Sequence, residues 1–182
     1  HTYILGALRA GCDAISEKPL TTTAENVRAI LAAERNSGRR VYVTFNARYA
    51  AYAEVIYQLL REGAIGALIS VDFAEFLDTD HGADYFRRWH RRKANSGGLQ
   101  IHKASHHFDQ LNWWIGGTAL GAEPENVYAL GARRFYGPTR AERGERCLTC
   151  PHTAACPFFL DLNARAELQA QYLQAEHADG YY

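Results

Sequence analysis

An alternation of helical and strand-like segments near the start of the sequence constrains the fold most. Apolar residues at helical spacing predict helices over residues 2–10 and 24–37, and a glycine follows each of them. Short apolar runs predict strands at residues 13–16 and 41–45. This order is typical of half of a doubly wound parallel sheet, which binds ligands at the carboxyl ends of its strands. We therefore expect an α/β fold with a ligand edge.

The composition is that of an ordinary globular chain. Of 182 residues 47% are hydrophobic, and 20 basic side chains balance 20 acidic ones, so we expect no nucleic-acid partner. No apolar stretch approaches the roughly 20 residues that cross a bilayer, and no signal peptide opens the chain, so we expect no membrane segment and a cytoplasmic location. Helical periodicity is already under way just after His1, from which we expect an upstream N-terminus.

The pattern changes after residue 46, which indicates a second domain at residues 47–182. It alternates helical and β-rich stretches with polar, aromatic loops, without repeats. The expected elements are a helix over about residues 50–62, a strand over Ala67–Leu77, a helix from Leu99 to Trp113, a strand over Val127–Phe135 and a final helix near residues 160–175.

Lys18 is the first candidate for chemistry, because it lies at the carboxyl end of the first predicted strand. Pro19 cannot continue a ladder strand, so the strand should end at this point. The lysine ammonium there could hold a substrate hydroxyl and stabilise an alkoxide. The alternative is a solvated lysine that pairs with Glu17.

His102 and His106 form the second candidate site. Their spacing of four residues places them on one face of a predicted helix, and Asp109 follows three residues later and could orient an imidazole. The pair could act as general acid and base, could ligate a metal, or could be buried and hydrogen-bonded. His107 lies on another face, where we expect a structural role.

A loop rich in cysteine is the third candidate site. Cys147 and Cys150 are separated by two residues, Cys156 follows, and His152 lies between the second and third thiols. These side chains could form a structural zinc site, and the thiols alone could hold an iron–sulfur cluster or act as a redox pair. Reduced, packed thiols are the remaining alternative.

Three motifs follow one another along the sequence. They are Glu17-Lys18-Pro19, Asn46-x-Arg48-Tyr49, and Gly97-Gly98 followed by His106 and Asp109. Gly63-Ala64-Ile65-Gly66 lies between a predicted helix and a predicted strand. In this combination the chain resembles the Gfo/Idh/MocA family, the glucose-fructose oxidoreductases and inositol dehydrogenases.

The resemblance implies the C-terminal end of a Rossmann dinucleotide-binding domain at residues 1–46, for NAD or NADP. It implies that residues 47–182 begin an α+β domain with an open, mostly antiparallel, incomplete sheet for substrate binding and oligomerisation. We expect a homo-oligomer when the protein is full length. No G-x-G-x-x-G loop follows a first strand, so we expect this chain alone to bind the dinucleotide poorly.

The resemblance also assigns roles to single residues. Lys18 and His106 would be catalytic, and the peptide bond before Pro19 would be cis. Where the family usually has an aspartate four residues before the catalytic histidine, this chain has His102. Contacts to the cofactor are implied for Glu17, Lys18, Pro19, Trp89 and His90, and substrate contacts for His102, Lys103, Asn46, Arg48, Tyr49 and Asp109.

The function that follows is hydride transfer between a nicotinamide cofactor and a hydroxyl-bearing carbon of a sugar, polyol or cyclitol. His106 would remove the hydroxyl proton while Lys18 held the same oxygen. Two alternatives stay open at this point. One is an NAD-dependent glycosidase of similar fold, and the other is a non-catalytic interaction module stabilised by metal at the cysteine loop.

Overall fold

Two compact units make up the chain in the computed structural model. The first unit comprises His1–Phe73 and Gly97–Val127, and the second comprises Ala74–Ser96 and Tyr128–Tyr182. The residues that the structure describes are 1–117, 121–136, 141–145, 147–164 and 166–170.

The first unit opens with the predicted alternation of helices and strands. Thr23 caps the second helix, because its hydroxyl oxygen accepts a hydrogen bond from the Asn26 N–H at 3.3 Å. Gly38 ends that helix in the left-handed conformation at a φ of 65°. The elements are α1 (Thr2–Arg9), β1 (Ala14–Glu17), α2 (Ala24–Ser37) and β2 (Val41–Thr44).

The two strands pair in parallel, with Ala14 opposite Val41. Ile4, Leu8, Ala14 and Ile30 form a buried core in which α1 and α2 pack on one face of the sheet. Because parallel strands share a direction, the carboxyl ends of β1 and β2 meet at one edge, as predicted for a ligand edge.

The remaining elements of the first unit come after β2 along the chain. A 3₁₀ turn leaves the end of β2, and it leads into a helix whose Ala53 is fully buried. These elements are the 3₁₀ turn Asn46–Tyr49, α3 (Ala51–Arg61), α6 (Leu99–His102) and α7 (Ser105–Gly116).

The second unit consists of short helical segments and loops. Asp78 caps its first helix by accepting a hydrogen bond from the His81 N–H at 2.8 Å. That bond lowers the pKa of the Asp78 carboxyl. The elements are α4 (Thr79–Asp84), the 3₁₀ turn Trp89–Arg91, α5 (Lys93–Ser96), the 3₁₀ turns Cys147–Thr149 and Thr153–Ala155, and α8 (Ala166–Gln169).

The strands predicted at Ala67–Leu77 and Val127–Phe135 are not formed. Within the described ranges the sheet of β1 and β2 is the only one. Ile69 and Val127 are 90% and 85% exposed, because a strand-like sequence becomes a strand only when another backbone pairs with it. The mostly antiparallel sheet of the second domain therefore stays a prediction.

Two helices of the structure also differ from those predicted from the sequence. The helix expected from Leu99 to Trp113 is divided into α6 and α7, because the Ala104 N–H bonds the Leu99 carbonyl oxygen at 3.1 Å and closes the first segment. His102 and His106 thus lie on different helices. The final helix expected near residues 160–175 is Ala166–Gln169 within the described residues, and residues 171–175 lie outside them.

None of the helices in the described ranges combines the length and the apolar character of a membrane span.

Two glycines with equally open surroundings should respond oppositely to alanine. A Cβ at Gly6 or Gly38 would meet nothing within 4 Å, but Gly38 has a φ of +65° and Gly6 lies inside α1. We expect Gly38→Ala to lower the free energy of unfolding by about 1 kcal/mol and Gly6→Ala to raise it by about 0.5–1 kcal/mol. Urea unfolding measures both changes, and equal effects would contradict the role of the left-handed cap.

Candidate active site

Lys18 follows β1 at the carboxyl edge of the sheet. Its Nζ donates a hydrogen bond to the backbone oxygen of His102 at 2.8 Å, and its backbone N–H donates to the Glu17 carboxylate at 3.3 Å. The Lys18–Pro19 peptide bond is cis, which confirms that expectation. The ammonium is therefore directed at the C-terminal end of α6 rather than left on a solvated surface.

Burial and neighbouring charge shift the Lys18 pKa. Burial lowers the pKa of the ammonium, the positive charge of Lys103 lowers it further, and Glu17 opposes both effects by raising it. The site thus brings the charge of Lys103 close enough to weaken the hold of Lys18 on its proton. An oxygen atom that gains negative charge would be stabilised here.

His106 lies in the first turn of α7, beside the residue that follows β2. Its ring meets the ring of Phe45 edge-on, with centroids 6.1 Å apart. The Nδ1 atom is buried and has no hydrogen-bond partner among the described residues, and the same holds for the hydroxyl of Ser105. Buried polar atoms are normally paired, so these two atoms have capacity for a ligand.

The imidazole of His106 is held in its neutral form. Burial lowers its pKa most, and the positive charge of Lys18 and then Lys103 lower it further, while Asp109 raises it. The pKa therefore lies below the ordinary value of 6.5. A neutral imidazole near pH 7 can accept a proton, which is what a general base requires.

Arg48 and Asp109 form a bidentate ion pair, which connects α7 to the 3₁₀ turn that follows β2. The Arg48 Nε and Nη2 atoms lie 2.7 and 2.5 Å from the two Asp109 carboxylate oxygens. The Asp109 side chain is only 8% exposed, and the hydrogen bond raises the pKa of the Arg48 guanidinium. Asp109 is one helical turn from His106, so this pair fixes the helix that carries the imidazole.

Further contacts fasten α7 to the same region. The buried Gln110 donates through Nε2 to the Ala47 backbone oxygen at 3.2 Å, and the Trp114 indole donates to the Ala53 oxygen at 3.1 Å. Trp113 stacks on Tyr57 with ring centroids 4.3 Å apart. Successive residues of α7 thus contact the turn after β2 and α3, and a shift of the helix would break several contacts at once.

The structure brings most of the predicted site residues into the first unit. Asn46 and Tyr49 line an open cavity of about 570 Å³ along β2, where Tyr49 is 87% exposed. Arg48 lines the same cavity while bonded to Asp109. Of the predicted cofactor and substrate residues, Trp89 and His90 lie outside this unit, in a 3₁₀ turn of the second unit with their rings 5.3 Å apart.

A second cavity of the first unit contains residues that the sequence did not single out. It measures about 380 Å³ and is mainly apolar. Phe45 and Ser105 line it. Each directly precedes a predicted site residue, Asn46 and His106 respectively, and this adjacency could have identified them from the sequence. The wall also includes Pro19, Leu20, Gln100, Ile101, Phe108 and Asn112.

The cysteine loop lies in the second unit. Cys147, Cys150, Cys156 and His152 line one cavity of about 160 Å³. Across the part of the chain that the structure describes, no group of three or more His, Cys, Asp or Glu side chains is arranged to hold a metal ion. The predicted zinc or iron–sulfur site at Cys147, Cys150, Cys156 and His152 is therefore unsupported.

Comparison with protein families decides the classification. Residues 57–164 match the model described as the C-terminal alpha/beta domain of the Gfo/Idh/MocA oxidoreductase family, and residues 1–45 match its NAD-binding Rossmann fold. The chain belongs to the Gfo/Idh/MocA family. The family resemblance of the three motifs is thus confirmed.

This Gfo/Idh/MocA chain is similar in sequence to several named bacterial proteins. It is 38% identical, over 99% of its length and 43% of the relative's, to YteT of Bacillus subtilis (strain 168), whose name classes it as an oxidoreductase. It is 29% identical to an inositol 2-dehydrogenase of Rhizobium meliloti over 68% of this chain and 34% of that protein. An inositol 2-dehydrogenase of Agrobacterium fabrum is 44% identical over 40% of this chain and 21% of its own length. The chain thus spans less than half the length of these relatives.

Breaking the Arg48–Asp109 pair should destabilise the protein far more than breaking an exposed pair. Asp109→Asn leaves a half-buried guanidinium without its charge partner, and we expect a loss of about 2 kcal/mol in the free energy of unfolding. The matched control is Glu54→Gln, which alters an exposed pair with Gln58 on α3 and should cost at most about 0.5 kcal/mol. Equal losses in urea unfolding would contradict the anchoring role of Asp109.

The pKa of His106 should respond to the charge of Lys103. Since burial and two lysines lower this pKa, we expect the imidazole to titrate below pH 6.5 and Lys103→Gln to move the midpoint upward. NMR titration of the ring protons measures the change, with Arg35→Gln at the end of α2 as a charge-matched control. A midpoint that Lys103→Gln leaves unchanged would contradict the electrostatic account.

Proposed function

We propose that this chain carries the catalytic residues of an NAD(P)-dependent oxidoreductase that acts on a hydroxyl-bearing carbon of a sugar, polyol or cyclitol. The observation that carries the proposal is the pairing of a lysine and a histidine with lowered pKa values at the carboxyl edge of a parallel sheet. The names of the inositol 2-dehydrogenase relatives support the substrate class.

The described residues fit the reacting end of a nicotinamide site. The buried Nδ1 of His106 and the Ser105 hydroxyl lack partners among the described residues, and the cavity lined by Ser105, Pro19 and Phe45 is adjacent to the catalytic motif. When bound, the nicotinamide supplies the hydride acceptor or donor. Glu17 and Pro19 are the residues of the first unit that we propose would hold it.

His106 acts as the general base in the direction of oxidation. Its lowered pKa keeps the imidazole neutral, so it can take the proton from the substrate hydroxyl as the neighbouring C–H bond breaks. In the direction of reduction the protonated imidazole returns that proton to the oxygen. Because α7 is anchored through Asp109 and Gln110, the imidazole keeps its position through both directions.

Lys18 stabilises the charge that develops on the same oxygen. The ammonium already bonds the His102 carbonyl oxygen at 2.8 Å, which fixes its direction before substrate binds. An alkoxide oxygen can accept a second hydrogen bond from the same ammonium, which has three protons to donate. The lowered pKa also makes the ammonium a stronger hydrogen-bond donor to the nascent oxyanion.

Further polar residues are available to orient the other hydroxyl groups of a polyol. Asn46 and Tyr49 line the open cavity along β2, and His102 and Lys103 lie at the end of α6, beside the Lys18 ammonium. Imidazole, amide and phenol groups both donate and accept hydrogen bonds. Such a set suits a substrate with several adjacent hydroxyls.

The test is turnover by the full-length protein with two substitutions and one matched control. We expect Lys18→Met and His106→Gln each to lower kcat/KM for polyol oxidation by about 10²–10⁴-fold. His107→Gln is the control, because His107 is the next residue of α7 but packs on Phe73, with ring centroids 5.4 Å apart. It should retain most of the activity.

The assay follows nicotinamide reduction with NAD⁺ and NADP⁺ in parallel, using myo-inositol and linear polyols as substrates. Turnover that survives in both Lys18→Met and His106→Gln would refute the assignment of the catalytic pair. Loss of activity in His107→Gln to the same degree would mean that disturbance of α7, and not the removal of an acid–base group, explains the result.

A further inference from the structure

Cys147 and Cys150 lie at the two ends of one turn and take no part in the reaction proposed above. The 3₁₀ turn Cys147–Thr149 is closed by a hydrogen bond from the Cys150 N–H to the Cys147 oxygen at 3.3 Å. Such a turn brings the Cα atoms of its first and fourth residues within about 7 Å. Disulfides join cysteines whose Cα atoms are about 4.4–6.8 Å apart, so the backbone is already within the range for a bridge.

The sulfur of Cys150 is held by backbone N–H groups. Gly144 donates to its Sγ at 3.1 Å and His152 donates at 3.4 Å. A Cβ at Gly144 would lie 2.9 Å from that sulfur and 2.8 Å from the Cys150 Cα, so a residue with a side chain could not approach as Gly144 does. Converging backbone N–H groups are the arrangement that stabilises an anion, and the thiolate is the reactive form of cysteine.

The thiols can be reached by a small molecule. Cys147, Cys150 and Cys156 are all half-buried, line the cavity of about 160 Å³, and none of them is in a disulfide. Within the described part of the chain, no set of side chains there is arranged to ligate a metal. Of the uses that the cysteine spacing allows, thiol chemistry is the one that the geometry favours.

We propose that Cys147 and Cys150 form a reversible dithiol–disulfide pair that reacts with low-molecular-weight disulfides of the glutathione class. The Cys150 thiolate attacks one sulfur of the small disulfide, forming a mixed disulfide and releasing one small thiolate. Cys147, after losing its proton to solvent, then attacks the Cys150 sulfur, which forms the Cys147–Cys150 bond and releases the second small thiolate. Two protein thiols are oxidised and one small disulfide is reduced to two thiols.

The experiment exposes the full-length protein to oxidised glutathione, quenches it with acid and alkylates the remaining thiols. Tryptic cleavage at Arg146 and Arg165 isolates one peptide with all three loop cysteines, and fragment masses assign the bond. We expect a Cys147–Cys150 disulfide that dithiothreitol reverses. The controls Cys12→Ser and Cys156→Ser should form it to the same extent.

Single substitutions separate the two steps. Cys147→Ser should accumulate a glutathione adduct on Cys150, because the resolving thiol is absent, whereas Cys150→Ser should carry little adduct on Cys147. The proposal is overturned if Cys147 and Cys150 stay reduced, if Cys156 replaces either of them in the bond, or if the purified protein holds one zinc or iron per chain at this loop. Far-UV circular dichroism of each variant checks that it is folded.

Discussion

The ion pair between Arg48 and Asp109 is the interaction on which the geometry of the proposed catalytic site depends. Arg48 follows β2 and Asp109 is one turn from His106, so the pair connects the edge of the parallel sheet to the helix that carries the imidazole. Lys18 leaves the neighbouring strand at the same edge. Without this pair, α7 would no longer hold the His106 imidazole at a fixed distance from Lys18. The pair consists of two residues that the sequence suggested as substrate ligands, and here each has the other as its partner.

The same pair helps to explain the electrostatics of the site. The carboxylate of Asp109, which is paired with the guanidinium of Arg48, raises the pKa of the His106 imidazole. Burial and the positive charge of Lys18 act in the opposite direction and prevail. The result is a neutral imidazole next to a lysine ammonium, a combination that suits proton removal from a hydroxyl and stabilisation of the oxygen left behind.

Local sequence predicted the first four elements because local interactions determine them. The Thr23 cap and the left-handed Gly38 bound α2 without help from distant residues. The cis peptide before Pro19 was implied by the family resemblance instead. The break between α6 and α7 was missed, because at that point the Lys18 ammonium bonds the His102 oxygen from 84 residues away. Spacing alone cannot reveal such a contact. The predicted strands of the second domain failed for a related reason, since strand-like residues do not form a ladder until another backbone lies beside them.

The most direct test of the catalytic assignment is the pH dependence of kcat/KM for polyol oxidation by the full-length protein. Because the pKa of His106 is lowered, the base should be lost only as the pH falls below 6.5, so the acid limb should have its midpoint below that value. His106→Ala should abolish this limb and leave a low kcat/KM that does not change with pH over the same range. An acid limb that persists unchanged in His106→Ala would contradict the assignment of His106 as the base.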